Sequence, residues 1–144
     1  FSCKILLIPM HYPDDLLVSR RIKNTIKNSV YIVSGEYSPR VLMGMLGKVN
    51  ILIAMRLHAV IMSSVLAVPS VPLAYDPKIA NISEQLGLKY LSLEEINEGN
   101  LYDMAQKLVE NHKKISSLLT EKTEILKVKA LRNAEIVKEI LRKS

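Results

Sequence analysis

The sequence predicts an α/β fold, a Rossmann-like parallel sheet with helices on both faces, followed by a long C-terminal helical tail. Three observations predict it. Five short apolar runs alternate with segments of helical periodicity. The connections between them are short, as in sheets built from strand–helix–strand units. Boundaries also carry their own start and stop residues, among them Asp14-Asp15, Ser38-Pro39 and Gly87.

In chain order, Lys4–Pro9 (KILLIP) reads as a buried strand ending at proline. Asp14–Asn28 reads as a helix with Leu16, Leu17, Ile22 and Ile26 as its apolar positions, and its two aspartates sit where a helix N-terminus favours carboxylates. Val30–Ser34 is a second strand. Ser38-Pro39-Arg40 opens a second helix with proline at its first position; Val41, Leu42, Met45 and Leu46 share one face. Asn50–Ala54 is a third strand. Met55–Ala67 is a helix that is apolar nearly all round and so expected in the core. Ser70–Ala74 is a fourth strand, in which Pro72 is expected to weaken pairing on one side. Pro77–Leu86 is a helix stopped by Gly87. Lys89–Leu91 is a short fifth strand, and Ser92-Leu93-Glu94-Glu95 has the spacing of a capped short helix. From Asn100 the pattern is helical to the end, as one helix or two. Leu101, Met104, Ala105, Leu108, Ile115, Leu118 and Leu119 form a stripe that Leu126, Ala130, Ala134, Val137 and Leu141 continue. Residues 1–99 are thus read as one α/β domain and residues 100–144 as its helical extension.

Composition agrees with that reading. The 144 residues suit one domain able to bury a core without disulfides. With no Trp and one Phe, that core must be aliphatic. Cys3, the only cysteine, excludes an intramolecular disulfide and a cysteine-cluster metal site, and its place in the first strand marks it as a small core residue. A reducing, cytoplasmic setting is the simplest expectation. No run approaches the ~20 apolar residues of a membrane span. The start, Phe1-Ser2-Cys3-Lys4, lacks both an initiator Met and the charged opening of a signal peptide, and is read as a cut from a longer chain. The net charge is +6, of which residues 101–144 hold ten Lys and Arg against six Asp and Glu. That is compatible with a solvated helix face, or with attraction to an anionic membrane surface or to nucleic acid. Beyond mild basicity nothing points to nucleic acid.

Parallel α/β sheets bind ligands beyond the C-terminal ends of their strands, and three such ends carry polar groups. The first strand is followed by His11, Asp14 and Asp15, the third by Arg56 and His58, the fourth by Tyr75, Asp76 and Lys78. Arg56 and His58 stand at the start of an otherwise apolar helix. A cation there opposes the helix dipole and is costly to bury alone, so it implies an anionic partner: a ligand, or Asp76. Lys78 repeats the argument one helix later, and Asp76 has the place of an N-cap. Helix capping accounts for Asp14 and Asp15, and His11 with them has no diagnostic metal spacing. His112 lies on the tail stripe and is read as structural.

Ile53-Ala54-Met55-Arg56-Leu57-His58-Ala59, Val68-Pro69, Ala74-Tyr75-Asp76-Pro77-Lys78 and Glu84-Gln85-Leu86-Gly87 together resemble the polysaccharide pyruvyl transferases, as do Tyr37-Ser38-Pro39 and the His11 to Asp15 region. The resemblance runs to about residue 110. It implies the C-terminal half of a two-domain GT-B-like enzyme that moves a pyruvyl group from phosphoenolpyruvate onto a glycan or lipid-linked sugar, forming a ketal. It implies catalytic roles for His58 and Lys78. Arg56, Asp76, Tyr75 and His11 are the expected substrate-binding residues. Neither a metal nor a cofactor beyond the donor is implied, and the expected location is cytoplasmic, either free or associated with the inner face of the membrane. Ala54 stands where the family commonly has glycine. The N-terminal domain, which carries further basic residues, is expected to be needed for activity. The rival reading is a nucleotide-sugar glycosyltransferase domain of the same architecture. A response-regulator-like binding module fits less well, because no lone aspartate ends the third strand.

Overall fold

The computed structural model describes residues 3–26 and 29–143, with side chains through Arg142. It divides into two compact units, Phe1–Val41 and Leu42–Ser144. The strands form two parallel ladders, β1-β2 and β3-β4-β5, where the sequence predicted one sheet.

The first unit is a β–α–β element. β1 (Ile5–Leu7) pairs in parallel with β2 (Val30–Ile32), Ile5 opposite Val30 and Leu7 opposite Ile32. Between them runs α1 (Asp14–Thr25), which buries Leu16 and Ser19. Leu17 and Ile22 are exposed, so the apolar face of α1 is narrower than its sequence suggested. Ile26 is already extended, ending the helix early; Lys27 and Asn28 lie outside the described residues. Cys3 precedes β1 and is exposed, which corrects its reading as a core residue of the first strand.

α2 (Pro39–Leu46) starts at its proline, as predicted, and runs into the second unit, where Leu46 is buried. There β3 (Leu52–Ala54), β4 (Ser70–Ala74) and β5 (Leu91–Ser92) lie in sequence order, all parallel. α3 (Leu57–Val65) and α4 (Pro77–Leu86) are the crossovers and pack on each other. Parallel crossovers are right-handed in nearly all proteins, which puts two made in the same direction on one face, in keeping with the contact between these helices. On the other face Val71 and Leu73 of β4 pack with Leu91 and with Leu101, Met104 and Leu108 of α5 (Glu98–Glu110). Pro72 does not disable the central strand. β4 pairs with β3 through Pro72 itself and with β5 from Leu73 onward, so the ladder that lacks the proline begins just after it.

The helix ends follow from local chemistry. Gly87 closes α4 at φ +69°, and the amides of Gly87 and Leu88 return to the carbonyls of Glu84 and Ser83. α3 ends the same way, the amides of Ala67 and Val68 reaching Ser64 and Ser63, with Ala67 itself at φ 55°. A Cβ on Gly87 would also stand 3.3 Å from Leu118 Cδ2. Gly87→Ala is therefore expected to cost about 1–2 kcal/mol, from left-handed strain plus that contact, read as a shifted denaturant midpoint at unchanged slope.

Ser92 to Glu95 forms a turn and not the predicted short helix. The Glu95 carboxylate caps the Ser92 amide at 2.9 Å, but a single helical turn is not continued. The tail is two helices. At Asn111 the side-chain amide bonds the Lys107 carbonyl at 2.9 Å, and the chain leaves helical geometry. α6 (His112–Lys143) follows, and packs on α3, α4 and α5. His112 is structural, as expected: its Nε2 lies 2.9 Å from the Asn50 carbonyl. Ile115, Leu118 and Leu119 continue the packed stripe, whereas Ala130, Ala134, Val137 and Leu141 are exposed. Asn50 precedes β3 and Gly87 precedes β5, so α6 begins across the N-terminal ends of the strands. Within the second unit, this is the end opposite the strand-to-helix turns.

Candidate functional site

The C-terminal edge of this ladder carries the candidate residues of the second unit. β3 ends at Ala54 and β4 at Ala74, and neighbouring strands stand ~4.8 Å apart. The two strand-to-helix turns therefore lie side by side. Arg56 is extended, at φ −95° and ψ 127°, and occupies the N-cap of α3; its carbonyl accepts from Ala59 and Val60 at 3.0 and 3.2 Å. No side chain caps this helix and its first turn holds no acid. His58 is the second residue of α3 and is exposed. It is thus no core histidine, although the helix around it buries Ala59, Val60, Ser63 and Ser64.

On the next turn the Tyr75 amide returns to the Leu73 carbonyl at 3.2 Å, which ends the strand and leaves the Tyr75 ring exposed. Asp76 caps α4 as predicted, its Oδ1 accepting the Lys78 amide at 2.8 Å. Pro77 follows at the first helical position, and Lys78, the second residue of α4, is exposed. His58 and Lys78 thus hold equivalent positions on two helices that touch. Cationic side chains and two helix N-termini share one rim, an arrangement suited to a small, multiply charged anion.

The third strand end has the opposite character, which the sequence reading missed. Ser92 Oγ donates to Glu94 Oε2 at 3.2 Å, and Glu95, accepting the Ser92 amide, is held below the usual carboxylate range. Acid beyond β5 and base beyond β3 and β4 give the rim a polarity. The signal is the Ser92-Leu93-Glu94-Glu95 spacing, which taken alone reads as a helix cap. A separate open depression between β5 and α5 is lined by Lys89, Tyr90, Glu95 and Asp103, and by none of the predicted site residues. There Glu84 accepts the Tyr90 hydroxyl at 3.2 Å and raises the phenol's pKa.

His11 belongs to the first unit. Its Nδ1 lies 3.3 Å from Asp14 Oδ2, both side chains exposed. Asp15 accepts the amides of Met10 and His11 at 3.1 and 2.9 Å, tying down the loop after β1. No group of three or more His, Cys, Asp or Glu side chains among the described residues is arranged to hold a metal ion.

A family model describing polysaccharide pyruvyl transferases matches residues 4–77, just over half of the 144 residues. The chain belongs to the polysaccharide pyruvyl transferase family. The matched segment includes His11, Arg56, His58, Tyr75 and Asp76 and ends one residue before Lys78, well short of the resemblance expected to about residue 110. Comparison with curated proteins finds no match. Comparison with solved structures finds none either. The matched segment spans the ends of β3 and β4 and the turns that follow them, as far as the first residue of α4.

Proposed function

We propose that this pyruvyl transferase chain binds phosphoenolpyruvate on the rim beyond β3 and β4 and carries the acid–base group that forms a pyruvate ketal on a sugar. The observation that carries the reading is the equivalent placement of His58 and Lys78 on adjacent, contacting helices, with Arg56 at the uncapped start of the first. Phosphoenolpyruvate presents a carboxylate and a phosphate on a small enol. Arg56 and Lys78 clamp those anions, and the free amides at the start of α3 add donors. In the reaction the enol methylene carbon takes a proton and a sugar hydroxyl attacks the adjacent carbon. Phosphate leaves with the C–O bonding pair, and a second hydroxyl closes the ketal as its proton is released. His58 serves as the acid–base group, or protonates the departing phosphate.

The rim also exposes Met55, Tyr75 and Leu93. Apolar surface beside a cationic site supports a two-domain, GT-B-like enzyme in which a facing N-terminal domain covers the rim and completes the site. The acceptor is then a glycan or lipid-linked sugar held between the domains, and this chain alone is inactive. Location in the cytoplasm belongs to the same reading.

Thermal-shift titration of the chain tests the donor. Phosphoenolpyruvate at a hundred times its Kd should stabilise the fold by about 2.7 kcal/mol. Arg56→Gln or Lys78→Ala should weaken binding about tenfold or more, in line with losing one charge-assisted contact. Stabilisation by a UDP-sugar without phosphoenolpyruvate would instead favour the nucleotide-sugar glycosyltransferase reading.

A further inference from the structure

One face of α6 is only half used. Around Leu119, which is fully buried, this face packs onto α3, α4 and α5. At about 100° per residue the same face continues through Ala130, Ala134, Ile136, Val137, Ile140 and Leu141. All six are exposed, Leu141 at 71%. Residues 127–143 thus form an overhang roughly 25 Å long with an exposed, mainly apolar sector roughly 160° wide that also holds Lys129 and Asn133.

Charge is ordered around that sector. Residues 127–143 hold six Lys and Arg against two Asp and Glu. Lys127 and Lys138 fall on one border of the sector and Arg132 beyond the other, while Lys129 falls just inside that second border, between Ile136 and Ile140. Glu135 and Glu139 fall on the opposite pole, as do Glu121 and Glu124 upstream; Lys127 also meets Glu124 at 3.3 Å, with both side chains exposed. Arg142 is the cation that lies at the acidic pole, and Val128 and Leu131 interrupt the polar side.

This order separates the occupants. A second copy of the helix would pair along Ala130, Asn133, Val137 and Ile140, the exposed part of the heptad line through this face. Its flanks would bring Lys127 and Lys129 together with no acid to meet them, over a seam weakened by Ala130 and Asn133. The apolar sector is also wider than a coiled-coil seam. A flat anionic surface fits each feature. Ile136, Val137, Ile140 and Leu141 enter the acyl boundary, the flanking lysines reach phosphates along their stems, and the acids stay in water. We infer that the C-terminal half of α6 binds the surface of an anionic lipid bilayer, lying in the interface plane. It does not cross the bilayer, since no helix among the described residues is long and apolar enough.

The test is flotation of the whole chain with vesicles of equal parts phosphatidylcholine and phosphatidylglycerol, beside vesicles of phosphatidylcholine alone. Binding is expected to the first and not the second, and to fall as salt is raised. The combined Lys129→Glu, Arg132→Glu and Lys138→Glu variant changes only exposed side chains and should bind on the order of a hundredfold more weakly. Ile136→Ser with Ile140→Ser should also abolish flotation, while circular dichroism and the melting of the second unit stay unchanged. Equal binding to both vesicle types, or to neither, overturns the proposal. So does self-association, seen by sedimentation, that the Ile136/Ile140 variant removes in a chain that does not float.

Discussion

Replacing His58 by alanine in the active enzyme is expected to slow pyruvyl transfer by about 10²–10⁴-fold, equivalent to about 3–5.5 kcal/mol of transition-state stabilisation. The fold should not notice. His58 is exposed at the second position of α3, while the residues that anchor this helix, Ala59, Val60, Ser63 and Ser64, point into the unit. The loss should therefore appear in kcat with little change in Tm. If His58 moves the proton, the pH dependence of kcat should lose one limb in His58→Gln, which keeps a polar side chain without an acid–base group near neutrality. A role in donor binding alone would instead raise KM and leave the pH profile intact. Turnover within a few-fold of the parent would remove His58 from the chemistry.

Leu119→Ala is expected to produce the largest loss of stability, about 2–5 kcal/mol. Leu119 is fully buried where α6 packs on α3 and α4, and truncating it leaves a cavity that helices held by their own hydrogen bonds cannot easily close. For a unit of this size the melting temperature should fall by roughly 10–30 °C. Leu141→Ala is the control. It removes the same atoms from the same helix at a site 71% exposed, and should stay within about 0.5 kcal/mol of the parent. Equal effects at the two positions would mean that α6 does not dock through its N-terminal half. A loss below about 1 kcal/mol at Leu119 would mean that the site collapses around the smaller side chain.

Much of the candidate site was legible in the residues because its signals are local. Asp76 caps α4, Pro77 takes the first helical position, and Gly87 ends the helix in the left-handed region. Each is a steric or hydrogen-bonding preference acting over one turn. Alternation of apolar strands with helix-periodic segments placed Arg56, His58 and Lys78 beyond strand ends for the same reason. Ser92 to Glu95 shows how far such signals reach. Its cap forms, but no apolar face follows to carry the helix on, so the motif closes a turn and leaves two carboxylates at the end of β5.

By itself, then, the chain's order of residues determined the succession of strands and helices in the second unit through α4, and which polar groups stand at their junctions. Tertiary structure alone decided which of those positions are covered. It divided the strands between two ladders, left Cys3 and His58 exposed within segments that read as core, and buried one half of the α6 stripe while leaving the other bare. The physical reason is one of range. Caps and turns are settled by neighbours a few bonds away, whereas burial depends on whether another element arrives to share the surface, and the same apolar stripe meets a partner at Leu119 and none among the described residues at Leu141.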